Sequence, residues 1–313
     1  MDEKTTVEAT VARDEPHGLA LPIVALALGA VAMGASPVFV RLADVGPFAS
    51  AFWRMALALP FLWIWLRWEQ KRAPQPNNLT SLKREAGTIA LLGFLFAGDL
   101  FFWHLSILNT TIANATLLAT MTPIIVTLGA WLILKELITP RIFTGVLLGA
   151  AGSLLLVGAS ARFNPDNVLG DVYGLITAFF FGSYFLGVAS ARRRMSAATV
   201  MFYPAVVATG LLLLAALLLD DHLLPRSWEG LATLVALAVV SQVGGQGLMA
   251  YALGYLPAIF SSLVIFFEAV AAAIMAWIIL AEHVTLWQFA GGTLILAGIY
   301  AARPARTASR RES

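Results

Sequence analysis

The chain has 313 residues, of which 59% are hydrophobic and 12% charged, and its mean hydropathy is +0.82. That make-up excludes an ordinary soluble globule and describes an integral membrane protein with no stretch left over for a soluble domain. A net charge of +2 and a pI near 9.0 do not mark a nucleic-acid partner, because the basic residues are scattered through loops; the lack of cysteine excludes disulfides, thiol catalysis and cysteine metal sites.

Residues 1–18 are polar and mostly acidic, unlike a cleavable signal peptide, and read as a disordered cytoplasmic tail. Ten apolar segments follow, at roughly 19–40, 47–66, 87–107, 112–134, 141–159, 170–190, 198–219, 231–252, 257–280 and 286–302, each near the length that spans a bilayer as a helix. Residues 303–313 form a basic tail. Sixteen Lys and Arg residues fall on the side shared by both tails and only three, Arg41, Arg162 and Arg226, on the other. Positive residues stay on the cytoplasmic side, so both termini are expected there.

The first segment carries Ser36 and Pro37, and the second carries Arg54, the single cation inside an apolar segment, with Pro60 further along. Arg54 either binds a substrate carboxylate or turns outward to pair with Asp44. In the third segment Leu92, Phe96, Asp99 and Trp103 share one face at helical spacing. Asp99, and Glu268 in the ninth segment, sit near the middle of their spans, where a carboxylate costs on the order of 3 kcal/mol. Each is either a proton-coupling or ammonium-binding group, or a carboxyl that braces neighbouring helices. Trp103 reads either as a cavity wall or as an interfacial anchor, and His104 beside it as a solvated rim residue.

Further along, Pro123 lies in the fourth segment, Phe181 and Tyr184 in the sixth, Pro204 in the seventh, and Gln242, Gln246 and Met249 on one face of the eighth. Ser261 and Ser262 open the ninth. Together these residues make a candidate wall of acids, amides, hydroxyls and aromatic rings, suited to an amphipathic zwitterion. Pro37, Pro60 and Pro123, with Asp99 and Glu268, are the candidates for gating and coupling, since proline interrupts helical hydrogen bonding.

One stretch occurs twice. Residues 130–152 and 276–298 align without a gap at an offset of 146, with 11 of 23 positions identical, including Trp131 with Trp277, Glu136 with Glu282 and Thr139 with Thr285. The register reaches back to match Gly98 with Gly244. A repeat near half the chain length means two copies of one unit. Each copy holds five segments, an odd number, so the second enters the membrane inverted. The fold expected is therefore all-α and integral to the membrane: ten transmembrane helices in two inverted five-helix repeats, 19–159 and 170–302. Glu136 and Glu282 fall at corners where a carboxylate can accept hydrogen bonds from the free amides opening the fifth and tenth helices. Inversion puts the two corners on opposite membrane faces, so they cannot form one catalytic pair.

The repeated stretch resembles the EamA-type unit of the drug/metabolite transporter superfamily, in particular the ten-helix YddG-type amino-acid exporters. Tyr251, Pro257, Glu268, Trp277, Glu282, Thr285, Gly291 and Gly298 follow that pattern, as do Arg54, Thr122, Pro123, Trp131, Glu136 and Gly145 in the first half. Ala269 departs from it where the family often has proline. The resemblance implies a structural part for Arg54, Trp131, Glu136, Trp277 and Glu282, a multi-pass bacterial-type inner-membrane location, and no soluble ATPase. It also implies a secondary transporter, exporting neutral or aromatic amino acids by alternating access without a cofactor or bound metal. Export of other amphipathic compounds or organic cations is the alternative. An intramembrane hydrolase has less behind it, because the chain holds no HExxH pair and no GxSxG elbow.

Overall fold

A computed structural model describes residues 19–72, 79–158, 165–280 and 285–303. Among these every regular element is a helix, and eight helices are both long and apolar enough to cross a bilayer. They are α1 (Ala20–Leu42), α2 (Pro47–Arg72), α3 (Leu79–Asn109), α4 (112–134), α6 (Val168–Ala191), α7 (Ala197–Leu219), α8 (Trp228–Ala252) and α9 (258–280). Two shorter apolar helices, α5 (Pro140–Gly158) and α10 (Leu286–Ala301), complete the ten.

The helix neighbours obey the repeat. If α1–α5 correspond to α6–α10, a two-fold operation sends α3·α6 to α8·α1, α3·α7 to α8·α2, and α4·α6 to α9·α1, and all six pairs are packed. It sends α2·α7 and α5·α10 to themselves, and these are packed too. The α5·α10 crossing shows the relation atom by atom. A Cβ on Gly145 would stand 2.9 Å from the Gly298 carbonyl oxygen, and one on Gly298 2.8 Å from that of Gly145. Gly152 and Gly291 face each other in the same way, at 2.6 and 2.5 Å. Only glycine lets two backbones come this close.

Charged residues extend two helices beyond the expected apolar segments: α2 runs to Arg72 rather than 66, and α3 begins at Leu79 rather than 87. Arg194 grips the start of α3 through Glu85, with Nε 2.9 Å from Oε1. Carboxylates elsewhere cap helices of the opposite repeat, satisfying amides that a helix start leaves free. Glu69 accepts from Ala198 N at 3.1 Å, Asp220 accepts from Ala49 N, and Asp44 accepts from Arg226 N and from the Ser227 hydroxyl. The Ser227 bond holds the Asp44 carboxyl below the usual carboxylate range.

Three spans are broken part-way along their length. α1 is interrupted at Ala35, before Pro37, and α4 at Thr120 and Met121, before Pro123. α9 is interrupted at Val264 without a proline. Pro60 and Pro204 lie inside unbroken helices, whereas α8 carries a π-helical stretch at Leu237–Gln246. Large exposed apolar side chains, among them Leu28, Ile64, Phe94 and Leu214, give the bundle a surface suited to lipid. Trp131 and Trp277 belong to that surface, both about half exposed.

Candidate functional site

The breaks in α1, α4 and α9 meet at one cavity of about 120 Å³, room for about four water molecules at liquid density. Broken helices at mid-membrane free backbone groups and shape a site, which is where secondary transporters place theirs. The cavity lies toward the end of the bundle where α1 and α3 finish and α2, α4 and α6 begin. Its charged lining comes from three helices, with Arg54 on α2, Asp99 on α3 and Glu268 on α9. Trp103 and Phe181 supply aromatic surface, and Ser36 and Pro37 line it from the α1 break.

Arg54 is buried, with 4% of its surface exposed. It corrects the expectation of an outward turn to Asp44. Its Nε donates to Gln242 Oε1 at 3.0 Å and its Nη1 to Ser36 Oγ at 3.1 Å, tying α2 to α8 and α1. Its guanidinium also lies 6.0 Å from the centre of the Phe96 ring, and it shares the cavity lining with Asp99 and Glu268. Phe96 in turn packs on Tyr184, with ring centres 4.7 Å apart. Phe96, Tyr184 and Gln242 thus form a layer behind the cavity rather than its lining. Glu268 Oε1 is buried with no hydrogen-bond partner.

Gln246, Met249, Ser261 and Ser262 are placed elsewhere, each at most 4% exposed and none of them in the cavity lining. Thr116, Thr120, Thr122 and Thr177 line it instead, and the sequence reading passed over their binding potential. The signal was present in spacing, since Thr116 and Thr120 share a face of α4, and Thr177 and Phe181 a face of α6. Three of these hydroxyls donate to backbone carbonyls: Thr120 to Leu117, Thr122 to Ala119 and Thr177 to Tyr173. Their oxygens keep lone pairs free to accept. The lining is therefore rich in acceptors and poor in donors.

Two further expectations are corrected. His104 is no rim residue: it is 2% exposed, with Nδ1 2.6 Å from the Leu100 carbonyl oxygen and Nε2 unpartnered. Glu136 caps not α5 but α9, accepting from Ala258 N at 2.8 Å and Ile259 N at 3.0 Å. Lys135 makes this possible by ending α4 in the left-handed conformation, φ 58°, which turns the chain back. Thr139, which with Pro140 reads in the sequence as an N-cap and N1 pair, does cap α5, its Oγ1 accepting from Ile142 N. Glu282 lies outside the described residues.

The fold and this site set the context for one sequence comparison, a match to the EamA-like transporter family over residues 20–158 and again over 168–303. The chain belongs to that family. It is thus a multi-pass membrane transporter of the drug/metabolite type. An uncharacterized transporter of Archaeoglobus fulgidus is 26% identical over 281 residues, spanning 88% of this chain and 94% of the relative. A solved protein crystal structure superposes with a TM-score of 0.75 at 18% identity, covering 91% of this chain and 95% of that one. At that identity the likeness speaks for the fold alone.

Proposed function

We propose that this transporter exports small zwitterionic metabolites, neutral or aromatic amino acids above all, across a bacterial-type inner membrane by alternating access. The observation that carries the reading is one small cavity that brings a guanidinium and two carboxyl groups together beside aromatic rings. A substrate carboxylate faces Arg54, its ammonium faces Asp99, Glu268 and the threonine oxygens, and its side chain lies against Trp103 and Phe181. Charge-assisted hydrogen bonds of this kind are about twice as strong as neutral ones. We take both termini as cytoplasmic, following the positive-inside pattern, and on that reading the cavity is offset toward the exterior. Two carboxylates against one arginine favour a second reading, in which the substrate is an amphipathic organic cation.

The test is flux through purified protein in liposomes against a panel of amino acids and organic cations. The amino-acid reading expects saturable flux of neutral or aromatic amino acids with acceleration by substrate on the far side. Flux of the cations alone moves the assignment to the second reading, and no flux of any amino acid sinks the first.

A further inference from the structure

The last three turns of α2 change from apolar to basic in two adjoining columns. Residues four apart stack along a helix, so Trp63, Arg67 and Lys71 make one column and Ile64, Trp68 and Arg72 the other. All six are exposed, Trp63 by 53%, Ile64 by 59% and Trp68 by 51%. In each column a guanidinium lies over the indole that precedes it by one turn. Arg67 is 6.0 Å from the centre of Trp63, and Arg72 is 4.0 Å from that of Trp68. A guanidinium laid on a ring keeps its N–H edge free to donate. The one acid in these turns, Glu69, is used on the protein side, where it caps α7 through Ala198 N. Among the described residues, none of Arg67, Lys71 and Arg72 has a carboxylate partner.

Other basic residues at this end of the bundle are used within the protein or stand apart. Arg192 donates to the carbonyls of Ala250 and Met195, and Arg194 is paired with Glu85. Lys135 and Arg141 stand singly on either side of the turn between α4 and α5. Arg303 lies over Tyr300 at 4.1 Å, but as a single contact. One basic side chain at a helix end is enough to favour the dipole and to anchor the helix in the interface. Two columns with three cations and two stacked indoles are more than anchoring needs.

We propose that this face of α2 is a binding site for an anionic phospholipid. The order along each column matches the molecule: apolar surface at Phe61 and Ile64 for the acyl chains, indoles at the boundary, and cations for the phosphate. Guanidinium groups meet phosphate oxygens with paired, charge-assisted hydrogen bonds. Arg67 and Arg72 are five residues apart, about 7 Å along the axis, which is close to the depth of one headgroup layer. Charge decides the class of lipid, since three unpaired cations attract an anionic headgroup and gain little from a zwitterionic one. The same turns hold α7 through Glu69, so a lipid seated here braces the α2·α7 pair from outside. None of this depends on which substrate the cavity takes.

The test gives the purified full-length protein equal amounts of phosphatidylglycerol and phosphatidylcholine and counts the lipids retained by native mass spectrometry. The wild type is expected to retain the anionic lipid at least about tenfold over the zwitterionic one. The triple variant Arg67→Gln, Lys71→Gln, Arg72→Gln is expected to lose that preference. A control triple, Lys83→Gln, Arg84→Gln, Arg193→Gln, removes the same charge from exposed positions at the same end and is expected to keep it. Equal loss in both triples means diffuse attraction and overturns the site, as does a wild type without preference. Displacement of phosphatidylglycerol by inorganic phosphate alone overturns the lipid as the occupant. If the first triple variant does not fold, Arg72→Gln carries the test with an expected several-fold loss of retention, and unchanged retention there overturns the site.

Discussion

Arg54 does two jobs with one planar group: it ties three helices together and presents positive charge to the cavity. Lysine has the charge without the fork and cannot reach Gln242 and Ser36 together. Arg54→Lys is therefore expected to leave Gln242 or Ser36 unpaired, lowering stability by about 1–3 kcal/mol, with at least a tenfold loss of counterflow. Thermal unfolding and proteoliposome counterflow check the two effects separately. If Asp99 or Glu268 couples protons, Asp99→Asn or Glu268→Gln abolishes the response to an imposed pH gradient while substrate binding persists; an unchanged response removes that role. Lys135 holds a left-handed backbone at φ 58° that glycine adopts without strain. Lys135→Gly should accordingly raise stability by about 0.5–1 kcal/mol, seen as a higher melting temperature. At this scale the sequence revealed what stands out against apolar helices: Asp99, Trp103, Phe181 and Glu268, all four in the cavity lining. It concealed the threonines, which look ordinary in a helix that bonds them to its own carbonyls. It also concealed partners distant in the chain, such as Gln242, 188 residues from Arg54, and Ala258, 122 residues from Glu136.

Hydropathy was enough to place all ten helices, because each must hide its backbone from lipid. The breaks in α1 and α4 could be anticipated from Pro37 and Pro123, whereas α9 breaks at Val264 with no local signature. Helix ends in water were missed because charged residues there continue a helix that hydropathy has ceased to report. The α5·α10 crossing yields a prediction with its own control. Gly152→Ala and Gly291→Ala each place a methyl group within 2.6 Å of a facing carbonyl oxygen, so each should destabilise by about 1–3 kcal/mol, and by similar amounts. Gly210 has nothing within 4 Å of its Cβ position, and Gly210→Ala should be neutral or stabilising by up to about 1 kcal/mol. Melting temperatures of the three variants decide this, and an unchanged melting temperature for Gly152→Ala or Gly291→Ala would count against the close crossing.

For the whole molecule, the inverted repeat could be read from 23 aligned residues, but the unequal use of its copies could not, because it resides in packing. Glu136 and Glu282 illustrate the gap: the sequence paired them, yet only the three-dimensional arrangement showed that Glu136 reaches across to the other repeat. Glu136→Gln weakens the cap on the amides of Ala258 and Ile259 and should lower stability by about 1–3 kcal/mol, read as a lower melting temperature. The Gly145·Gly298 and Gly152·Gly291 contacts have a different standing. Each is the image of the other, and both exist at once. Exchanging the two repeats maps one glycine contact onto the other, so under the proposed alternating access this pair of contacts favours neither facing state. Under the proposed alternating access, durability and switching bias are consequently separate dials: one is turned at α5 and α10, the other at the Glu136 corner, and an engineer could harden the carrier without jamming it.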